Sequence, residues 1–273
     1  MPELPEVETT RAGIASHLLG QTVARVIIRQ PQLRLPISPE LLTALAGQSI
    51  KTVERRAKYL LIGTPSGTLL LHLGMSGRLR IVLPDAEQVP GRHDHLDLIL
   101  ANGKILRLTD PRRFGLALWL SEDPLTHPWL RSLGPEPLSD DFHGDYLYQQ
   151  VLQRTTAIKP LIMNGHIVVG VGNIYANEAL FRSAIHPKRL ACTISLADCR
   201  ILVVAIQQVL QAAIAQGGTT LRDFQNSDGR PGYFQVALQV YGKAGEPCSQ
   251  CGQLIQQQRL AQRATFFCNN CQH

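Results

Sequence analysis

The amino-terminal half of the chain alternates short apolar runs with turn residues, after one segment of helical spacing. Val7, Ile14 and Leu18 fall on roughly one face of a helix that starts at Pro5 and stops at Gly20. Strand patterns follow over residues 22–29, 59–62, 68–73, 96–100, 104–108 and 116–120, with a short helix over 39–45. This pattern predicts a β-sandwich or barrel-like domain with one leading helix.

The carboxy-terminal half changes to helical spacing. Helices are predicted over residues 146–155, 159–164 and 174–184. A longer helix follows Ser195 and Asp198, whose spacing resembles a capping box, and it ends before Gly217. Its apolar stripe, which includes Leu202 and Ile206, predicts that this helix forms part of a core.

The boundary between the two halves falls in an acidic segment that contains Pro and Gly, residues 133–145. Such a composition is typical of a linker between domains. With 273 residues, the chain is long enough for two cores. We therefore predict an α+β protein of two domains, with an amino-terminal domain over 2–132, a helical domain over 146–235 and a cysteine-rich extension over 236–273.

Composition says more about the partner than about the fold. The net charge of +6 favours a polyanionic partner, and the region from residue 146 onward holds eleven Lys and Arg against five Asp and Glu. No targeting signal is recognisable, and no apolar run approaches the ~20 residues that a membrane helix needs. We expect a cytoplasmic protein with no membrane partner.

Two Cys-x-x-Cys pairs, sixteen residues apart, occur near the carboxyl terminus: Cys248, Cys251, Cys268 and Cys271. This is the spacing of a structural zinc site, and disulfides are the poorer interpretation in a reducing cytoplasm. We predict one structural Zn²⁺ per chain. The segment between the pairs would form the β-hairpin of a zinc ribbon, with Arg259 or Arg263 at its turn, which suits entry into a DNA groove better than catalysis at the metal.

The first residues combine two groups that helix initiation alone does not require. Pro5 and Glu6 suit the first turn of a helix. If Met1 is removed, Pro2 presents a secondary amine beside the carboxylate of Glu3. An α-amino group has a pKa near ~7.7–8.0, so a useful fraction is an unprotonated nucleophile at neutral pH. Such an amine can form a Schiff base while the carboxylic acid moves protons.

Two segments offer groups suited to phosphate, beside simpler structural interpretations. Arg55–Tyr59 reads as one strand-like segment, in which the arginines lie on a solvated face or contact phosphate. Lys58 would then point to the face opposite Ala57 and approach a site. Gly170–Asn173 precedes a helix, where backbone N–H groups and the Asn173 amide could meet a phosphate, although a simple tight turn fits as well.

Two loops carry apolar side chains beside glycine or arginine. Leu73–Gly77 is a glycine-bounded loop, and its Met75 fits core filling at the end of a strand. Asp110–Gly115 presents Arg112 next to Phe114. An apolar wedge with an arginine is how proteins kink DNA and replace an extruded base. A salt-bridged turn with a buried Phe114 is the alternative.

In this order, the pieces resemble the bacterial formamidopyrimidine-DNA glycosylase family over essentially the whole chain. The matching stretches are Pro2–Glu8, Arg55–Tyr59, His72–Gly77, Asp110–Gly115, Val169–Ala176, Gly217–Asp223 and the four-cysteine finger with Gln262–Thr265. The resemblance implies a base-excision enzyme that removes oxidised purines, chiefly 8-oxoguanine and formamidopyrimidines, from duplex DNA and then cuts the abasic strand. It also implies an amino-terminal β-sandwich and a helix–two-turn–helix domain that ends in a zinc-finger hairpin.

The same resemblance implies catalytic roles for four residues. Pro2 would attack C1′ of the damaged nucleoside, and Glu3 would donate and accept protons at the sugar. Lys58 matches the lysine that donates a proton during β-elimination. Arg263 matches the finger arginine that contacts phosphate and assists δ-elimination.

It also implies a set of DNA contacts. Met75, Arg112 and Phe114 match the trio that fills the gap left by the flipped nucleotide, with Arg112 facing the orphaned cytosine. The family's backbone-binding positions are matched by His93, Arg154 and Asn173, where Arg154 stands in a run that is usually richer in lysine. Residues 219–233 would form the loop that closes over the extruded base.

Two other functions remain open at this point. An enzyme similar to endonuclease VIII would prefer oxidised pyrimidines, although Leu4, the complete wedge trio and the glycine-threonine loop favour the purine enzyme. A zinc-ribbon DNA-binding protein without catalysis would also explain the charge and the finger. For the enzyme we expect a nucleoid-associated monomer that acts on damaged double-stranded DNA and needs no small-molecule cofactor.

Overall fold

The computed structural model describes residues 2–84, 89–218 and 238–273. The described residues form two compact units, one made of residues up to Arg131 with 216–218, and one made of 132–215 with 238–273. The loop expected over residues 219–233 lies outside the described residues, as does Met1.

The first unit begins with helix α1 and continues with strands and two short helices. Its helices are α1 (Leu4–Leu18), α2 (Leu41–Ala44) and α3 (Pro128–Arg131), with a 3₁₀ turn at Pro124–Thr126. Its strands are β1 (Val23–Ile28), β2 (Thr52–Arg56), β3 (Tyr59–Thr64), β4 (Gly67–His72), β5 (Arg78–Val82), β6 (Asp94–Leu100), β7 (Ile105–Thr109) and β8 (Leu116–Leu120).

These strands form two antiparallel sheets around a shared apolar core. One sheet has the order β1-β6-β7-β5 and the other β2-β3-β4-β8. Val26 and Leu98 of the first sheet belong to the same buried cluster as Ile62 and Leu71 of the second, and Ile14 of α1 joins them. Removal of this apolar surface from water is the main force that holds the sheets together. The predicted sandwich with a leading helix is confirmed.

The predicted strand over Arg55–Tyr59 is wrong, because a turn interrupts it. Strand β2 ends at Arg56, and Ala57 and Lys58 form a two-residue turn before β3. Arg56 pairs with Tyr59 across this hairpin, and Ala57 has a φ of 55°. Two-residue hairpin turns need positive φ angles to match the twist of the strands. Lys58 therefore lies at the end of a hairpin and not on a sheet face.

A buried ion-pair network joins β6 and β7 to their neighbours. Asp97 accepts hydrogen bonds from Arg107 at 2.8 and 2.9 Å and from Arg29 at 2.7 Å. Burial would raise the pKa of Asp97, but the hydrogen bonds from the two arginines lower it below the ordinary value. Asp94 accepts from Arg80 at 2.8 Å in the same sheet. Asp97 and Arg107 are buried, so removal of either partner would leave an unpaired buried charge and destabilise this sheet.

The second unit is helical and ends in a two-stranded hairpin. Its elements are α4 (Gly144–Val151), α5 (Ile158–Ile162), α6 (Asn173–Arg182), a 3₁₀ turn at Ala191–Thr193, α7 (Leu196–Ala215), β9 (Gln256–Leu260) and β10 (Arg263–Phe267). The predicted capping box is confirmed, since Asp198 N–H donates to Ser195 Oγ at 3.1 Å and Ser195 N–H to Asp198 Oδ2 at 3.3 Å.

Helix α7 is the one helix in the described ranges that is long and apolar enough to cross a membrane by length and composition. It packs against α4 and α6 within its unit. Leu202, Ile206 and Leu210 are almost completely buried there. Much of the apolar side of this helix is therefore buried in the core of its unit.

Candidate active site and nucleic-acid interface

The start of α1 is closed by reciprocal capping between two glutamates. Glu3 is the N-cap residue, and its side chain accepts from the backbone N–H of Glu6. The Glu6 carboxylate accepts from the Glu3 N–H at 2.8 Å. Both glutamates are buried, as is Pro2 before them. The helix dipole favours a carboxylate at this end, so the cap holds Glu3 in place directly after Pro2.

Arg55 connects α1 to the turn that carries Lys58. Its Nε donates to Glu8 Oε2 at 2.9 Å, and its Nη1 donates to the carbonyl of Ala57 at 2.9 Å. The side chain is only 12% exposed, so the expectation that Arg55 lies on a solvated face is wrong. Arg55 instead fixes the turn with Lys58 relative to the helix that begins just after Pro2.

His72 lies beside this turn and is neutral. It pairs with Tyr59 across β3 and β4, with ring centroids 5.0 Å apart. Burial lowers the pKa of His72 to about 4, and the positive charges of Lys58 and Arg34 act in the same direction. Nδ1 accepts the Gly74 N–H at 3.0 Å, which assigns the ring proton to Nε2. His72 can therefore donate one hydrogen bond to an anion without being charged.

Met75, Arg112 and Phe114 stand on two adjacent loops of the first unit. Phe114 is 45% exposed, so the salt-bridged turn with a buried phenylalanine is excluded. The Arg112 guanidinium carbon lies 5.1 Å from the centre of the Phe114 ring, a cation–π contact. Met75 is half-buried, and Arg112 is exposed. The two loops thus offer two apolar side chains and one cationic group to a partner.

Ser76 and Asp110 connect these loops below the exposed groups. Ser76 Oγ donates to Asp110 Oδ1 at 2.8 Å and accepts from the Arg112 N–H at 3.2 Å. Asp110 Oδ2 accepts from the Gly115 N–H at 2.7 Å. Both side chains are buried. Neither residue stood out in the sequence, because a serine beside glycine and an aspartate before proline are ordinary turn residues.

His93 is exposed at the edge of the same region, while its neighbour His95 is buried. The His93 carbonyl accepts from the Asp110 N–H at 2.9 Å, and His95 Nε2 lies 2.8 Å from the Asp110 carbonyl oxygen. The ring of His95 thus takes part in a protein hydrogen bond. The exposed His93 is accessible to a partner.

In the second unit, a buried lysine joins α6 to the hairpin. Lys159 is 1% exposed, and its Nζ donates to Asn173 Oδ1 at 2.7 Å, Thr265 Oγ1 at 2.7 Å and the Ala264 carbonyl at 3.1 Å. The Asn173 amide donates to the same carbonyl at 3.0 Å. Asn173, at the first turn of α6, and the hairpin are therefore held as one piece.

Arg263 lies next to that contact and is exposed. It opens β10 opposite Leu260, and the turn between them has φ angles of 47° at Ala261 and 62° at Gln262. Such a tight turn presents the neighbouring side chains to a partner. Arg154, which follows α4, is also exposed, but the contacts of its backbone are made to Val151 and Cys192 and not to the hairpin.

The cysteine sulfurs have the separations of a tetrahedral zinc site: Cys248, Cys251, Cys268 and Cys271 lie with all Sγ atoms within 4.8 Å of one another. Two measured Sγ–Sγ distances are 3.9 and 3.5 Å. Thiolates about 2.3 Å from a central Zn²⁺ are separated by about 3.8 Å in a tetrahedron, so the residues fit the ion. The structure has one cluster of this kind in its described residues, and the predicted zinc finger is confirmed.

Within each unit, the structure brings several of the predicted residues together. Pro2 adjoins Glu3 in the first unit, and the wedge trio shares two bonded loops. In the second unit Asn173 contacts the hairpin that carries Arg263. The sequence did not single out His72, Ser76, Asp110 and Lys159. Ser76 and Asp110 bond to each other across 34 positions, and Lys159 reaches Asn173 across 14.

Three family profiles match successive parts of the chain. Residues 1–117 match the formamidopyrimidine-DNA glycosylase N-terminal domain, and residues 133–225 match the H2TH domain of the same enzymes. Residues 245–273 match the zinc finger found in FPG and IleRS.

Curated relatives and solved structures agree with these matches. The formamidopyrimidine-DNA glycosylases of Escherichia coli O1:K1 and of Shigella boydii serotype 18 are each 56% identical over 272 residues, 100% of both chains. The structure of the Thermus thermophilus MutM (FPG) protein has a TM-score of 0.88 at 37% identity, covering 99% of this chain and 98% of that one. Wild-type Lactococcus lactis Fpg, bound to DNA that contains N7-benzyl-Fapy-dG, has a TM-score of 0.90 at 35% identity and 99% coverage of both chains. The chain belongs to the formamidopyrimidine-DNA glycosylase family and is a DNA glycosylase for oxidised purines in base excision repair.

Proposed function

We propose that this chain is a bifunctional DNA glycosylase and AP lyase, in which Pro2 is the nucleophile. The observation that carries the proposal is the capped start of α1, where Pro2 directly precedes a buried Glu3 whose side chain is held by the helix. Once Met1 is removed, this arrangement places a secondary amine next to a proton donor, in a chain with full-length similarity to glycosylases.

The proposed reaction begins at the sugar of the damaged nucleotide. The Pro2 nitrogen bonds to C1′, the C1′–base bond breaks, and the base leaves with a proton. Glu3 supplies and accepts protons at the sugar as the ring opens, which gives an iminium between Pro2 and C1′. The iminium withdraws electrons and acidifies the C2′ proton. Loss of that proton breaks the C3′–O bond, and a second elimination breaks the C5′–O bond.

Lys58 and Arg263 assist the two eliminations in this scheme. Lys58 donates a proton during β-elimination, and its turn is tied by Arg55 to the helix that starts at Glu3. Arg263 contacts a phosphate and assists δ-elimination, which its exposure beside a rigid hairpin turn permits. Phosphate leaving groups benefit from a fixed guanidinium because it donates two hydrogen bonds in one plane.

The proposed substrate is damaged double-stranded DNA. Met75, Arg112 and Phe114 fill the gap left by the extruded nucleotide, and Arg112 faces the unpaired cytosine. The remaining backbone contacts are assigned to His93, Arg154 and Asn173, all of which keep some exposure. Residues 219–233 are assigned to the loop over the extruded base. The enzyme acts as a nucleoid-associated cytoplasmic monomer without a small-molecule cofactor.

We propose that the functions are divided among the domains that the sequence predicts. Residues 2–132 carry the nucleophile, 133–145 act as a linker, 146–235 bind DNA and 236–273 form the finger. The basic balance of the carboxy-terminal half supports this assignment, since neutralised phosphates supply much of the affinity of DNA-binding proteins.

Borohydride trapping tests the catalytic part of this proposal. The enzyme with abasic DNA should give a covalent adduct, and mass spectrometry should locate the bond at Pro2. An extra residue before Pro2 converts the amine to an amide and should abolish the adduct, whereas the same residue added after His273 should not. An adduct on a lysine would contradict the assignment of Pro2 but keep the lyase activity. The absence of an adduct with abasic DNA would contradict the lyase activity itself.

Excision kinetics test the choice of base. The rate of 8-oxoguanine removal opposite cytosine should exceed that of thymine glycol in the same duplex. A strong preference for thymine glycol would favour the endonuclease VIII-like alternative.

A further inference from the structure

We propose that Ser76 and Asp110 are positioning residues that join the two wedge loops into one rigid body and thereby set the choice of the base opposite the lesion. The proposal rests on the proposed function of Arg112. Beyond that function, the selectivity of Arg112 would depend on the buried pair Ser76 and Asp110, called the clamp here, which does not itself contact DNA.

The hydrogen bonds of the clamp connect the Leu73–Gly77 loop to the Asp110–Gly115 loop. Asp110 uses one carboxylate oxygen for the Ser76 hydroxyl and the other for the Gly115 N–H. The hydroxyl of Ser76, in turn, accepts the N–H of Arg112. The backbone that carries Arg112 is thus bonded to the loop that carries Met75, through the buried Ser76.

The two loops also touch backbone to backbone, which leaves no room for independent movement. A Cβ added to Gly74 would lie 2.4 Å from the carbonyl carbon of Phe114. One added to Gly115 would lie 2.8 Å from Asp110 Oδ2 and 3.1 Å from the His72 carbonyl oxygen. Real Cβ atoms essentially never come within 3.0 Å of another heavy atom, so the contact requires glycine at position 74, while a side chain at Gly115 would have to displace the Asp110 carboxylate.

The clamp is anchored in the sheet below it. Asp110 directly follows β7, and its N–H donates to the carbonyl of His93 at 2.9 Å. After it, Arg113 adopts a φ of 57°, which is unusual for a residue with a side chain. Because Asp110 spans the start and the end of this turn, it can hold Arg113 in that conformation and aim Arg112 and Phe114 in a fixed direction.

The physical reason for an effect on selectivity is geometric. Hydrogen bonding to one base and not another depends on donor positions to within a fraction of an ångström. An arginine on a loosened loop can adjust to adenine as well as to cytosine. Loss of the clamp should therefore reduce discrimination more than it reduces binding.

The test compares kcat/KM for 8-oxoguanine opposite cytosine with that opposite adenine. Ser76→Ala and Asp110→Asn should each lower the cytosine preference roughly fivefold or more, the effect of about one lost net hydrogen bond. In Asp110→Asn, the amide nitrogen cannot accept a hydrogen bond, so one of the two donors, the Ser76 hydroxyl or the Gly115 N–H, loses its acceptor. Thr109→Val is the matched control, because it removes a buried hydroxyl–carboxylate bond to Asp94 that does not reach the loops. It should leave the preference unchanged.

A double variant distinguishes positioning from a general structural role. If Ser76 acts through Arg112, adding Ser76→Ala to Arg112→Ala should cause no further loss of preference. Three results would each overturn the clamp. The first is a double variant whose loss of cytosine preference is the product of the two single losses, and the second is an equal loss of preference in Thr109→Val. The third is an unchanged preference in both clamp variants while Arg112→Ala loses the preference. If Arg112→Ala itself keeps the preference, the role proposed for Arg112 fails, and the clamp falls with it. Melting temperatures of all variants report whether they fold.

Discussion

At the scale of single residues, Glu3 near the amino terminus has both a structural role and a proposed chemical role. Glu3 caps α1 and also adjoins the proposed nucleophile, and Glu6 completes the cap from one turn further on. A carboxylate held by the first turn of a helix loses little additional entropy when it acts on a substrate. Preorganisation of this kind is worth more in a buried site than in water, because the surrounding groups need not reorganise.

His72 should make the stability of the protein depend on pH between about 4 and 6.5. Its pKa is lowered from 6.5 to about 4 by burial and by Lys58 and Arg34, so the unfolded chain binds a proton first as the pH falls. Stability should decrease as pH drops below 6.5 and level off near 4, by at most ~3 kcal/mol from this group.

Urea unfolding of the wild type and of His72→Gln across this pH range measures that dependence. Every other titrating group is shared, so the difference between the two proteins isolates His72. The variant should lose less stability on acidification. Parallel curves for the two proteins would show that His72 titrates normally.

At the scale of elements, the contact between the wedge loops should tolerate no side chain at Gly74. This residue has a φ of 62°, and an added Cβ would lie against the Phe114 backbone. Gly47 has a φ of 79°, but nothing lies within 4 Å of its Cβ position. Gly47→Ala should cost about 1 kcal/mol for the left-handed backbone alone, and Gly74→Ala clearly more. Equal losses in chemical unfolding would show that the loops separate easily.

Lys159 is the corresponding connection in the second unit. Lys159→Met keeps the chain length but removes three hydrogen bonds and leaves Asn173 Oδ1 and Thr265 Oγ1 without this donor. We expect a loss of about 2–4 kcal/mol in the free energy of unfolding. The exposed Lys188→Met should cost little by comparison. A neutral effect of Lys159→Met would mean that packing alone holds the hairpin against α6.

The elements and the side-chain network differ in how far the sequence reveals them. Local signals sufficed for the capping box at Ser195, the zinc cysteines and most strands, because each depends on neighbours within about twenty positions. Strand β5 was missed, although residues 78–81 alternate polar and apolar side chains as a strand does. The role of Arg55 needed Glu8, 47 positions away. Such long-range pairs follow from the fold and cannot be read from local pattern.

At the scale of the whole molecule, the two units have separate cores, and the part of the second unit that forms the finger has only a small core. The finger core contains Phe181 of α6 and Phe266 of β10 beside two of the cysteines. So few apolar residues cannot hold a hairpin without another constraint. A structural zinc provides it, because its binding free energy of roughly 10–16 kcal/mol in finger peptides is also folding free energy.

Removal of zinc should therefore disable DNA binding and leave the β-sandwich folded. With a strong chelator, or in Cys268→Ser, we expect less than one zinc per chain by mass spectrometry and a clearly weaker affinity for abasic DNA, because the hairpin that carries Arg263 loses its metal constraint. Cys192→Ser is the matched control, because Cys192 is exposed and lies outside the cluster. It should keep one zinc and full affinity. The unfolding transition of the first unit, followed by the fluorescence of its two tryptophans, Trp119 and Trp129, should not move. Full affinity in zinc-free protein would show that the hairpin holds its shape through Lys159 and the apolar contacts alone.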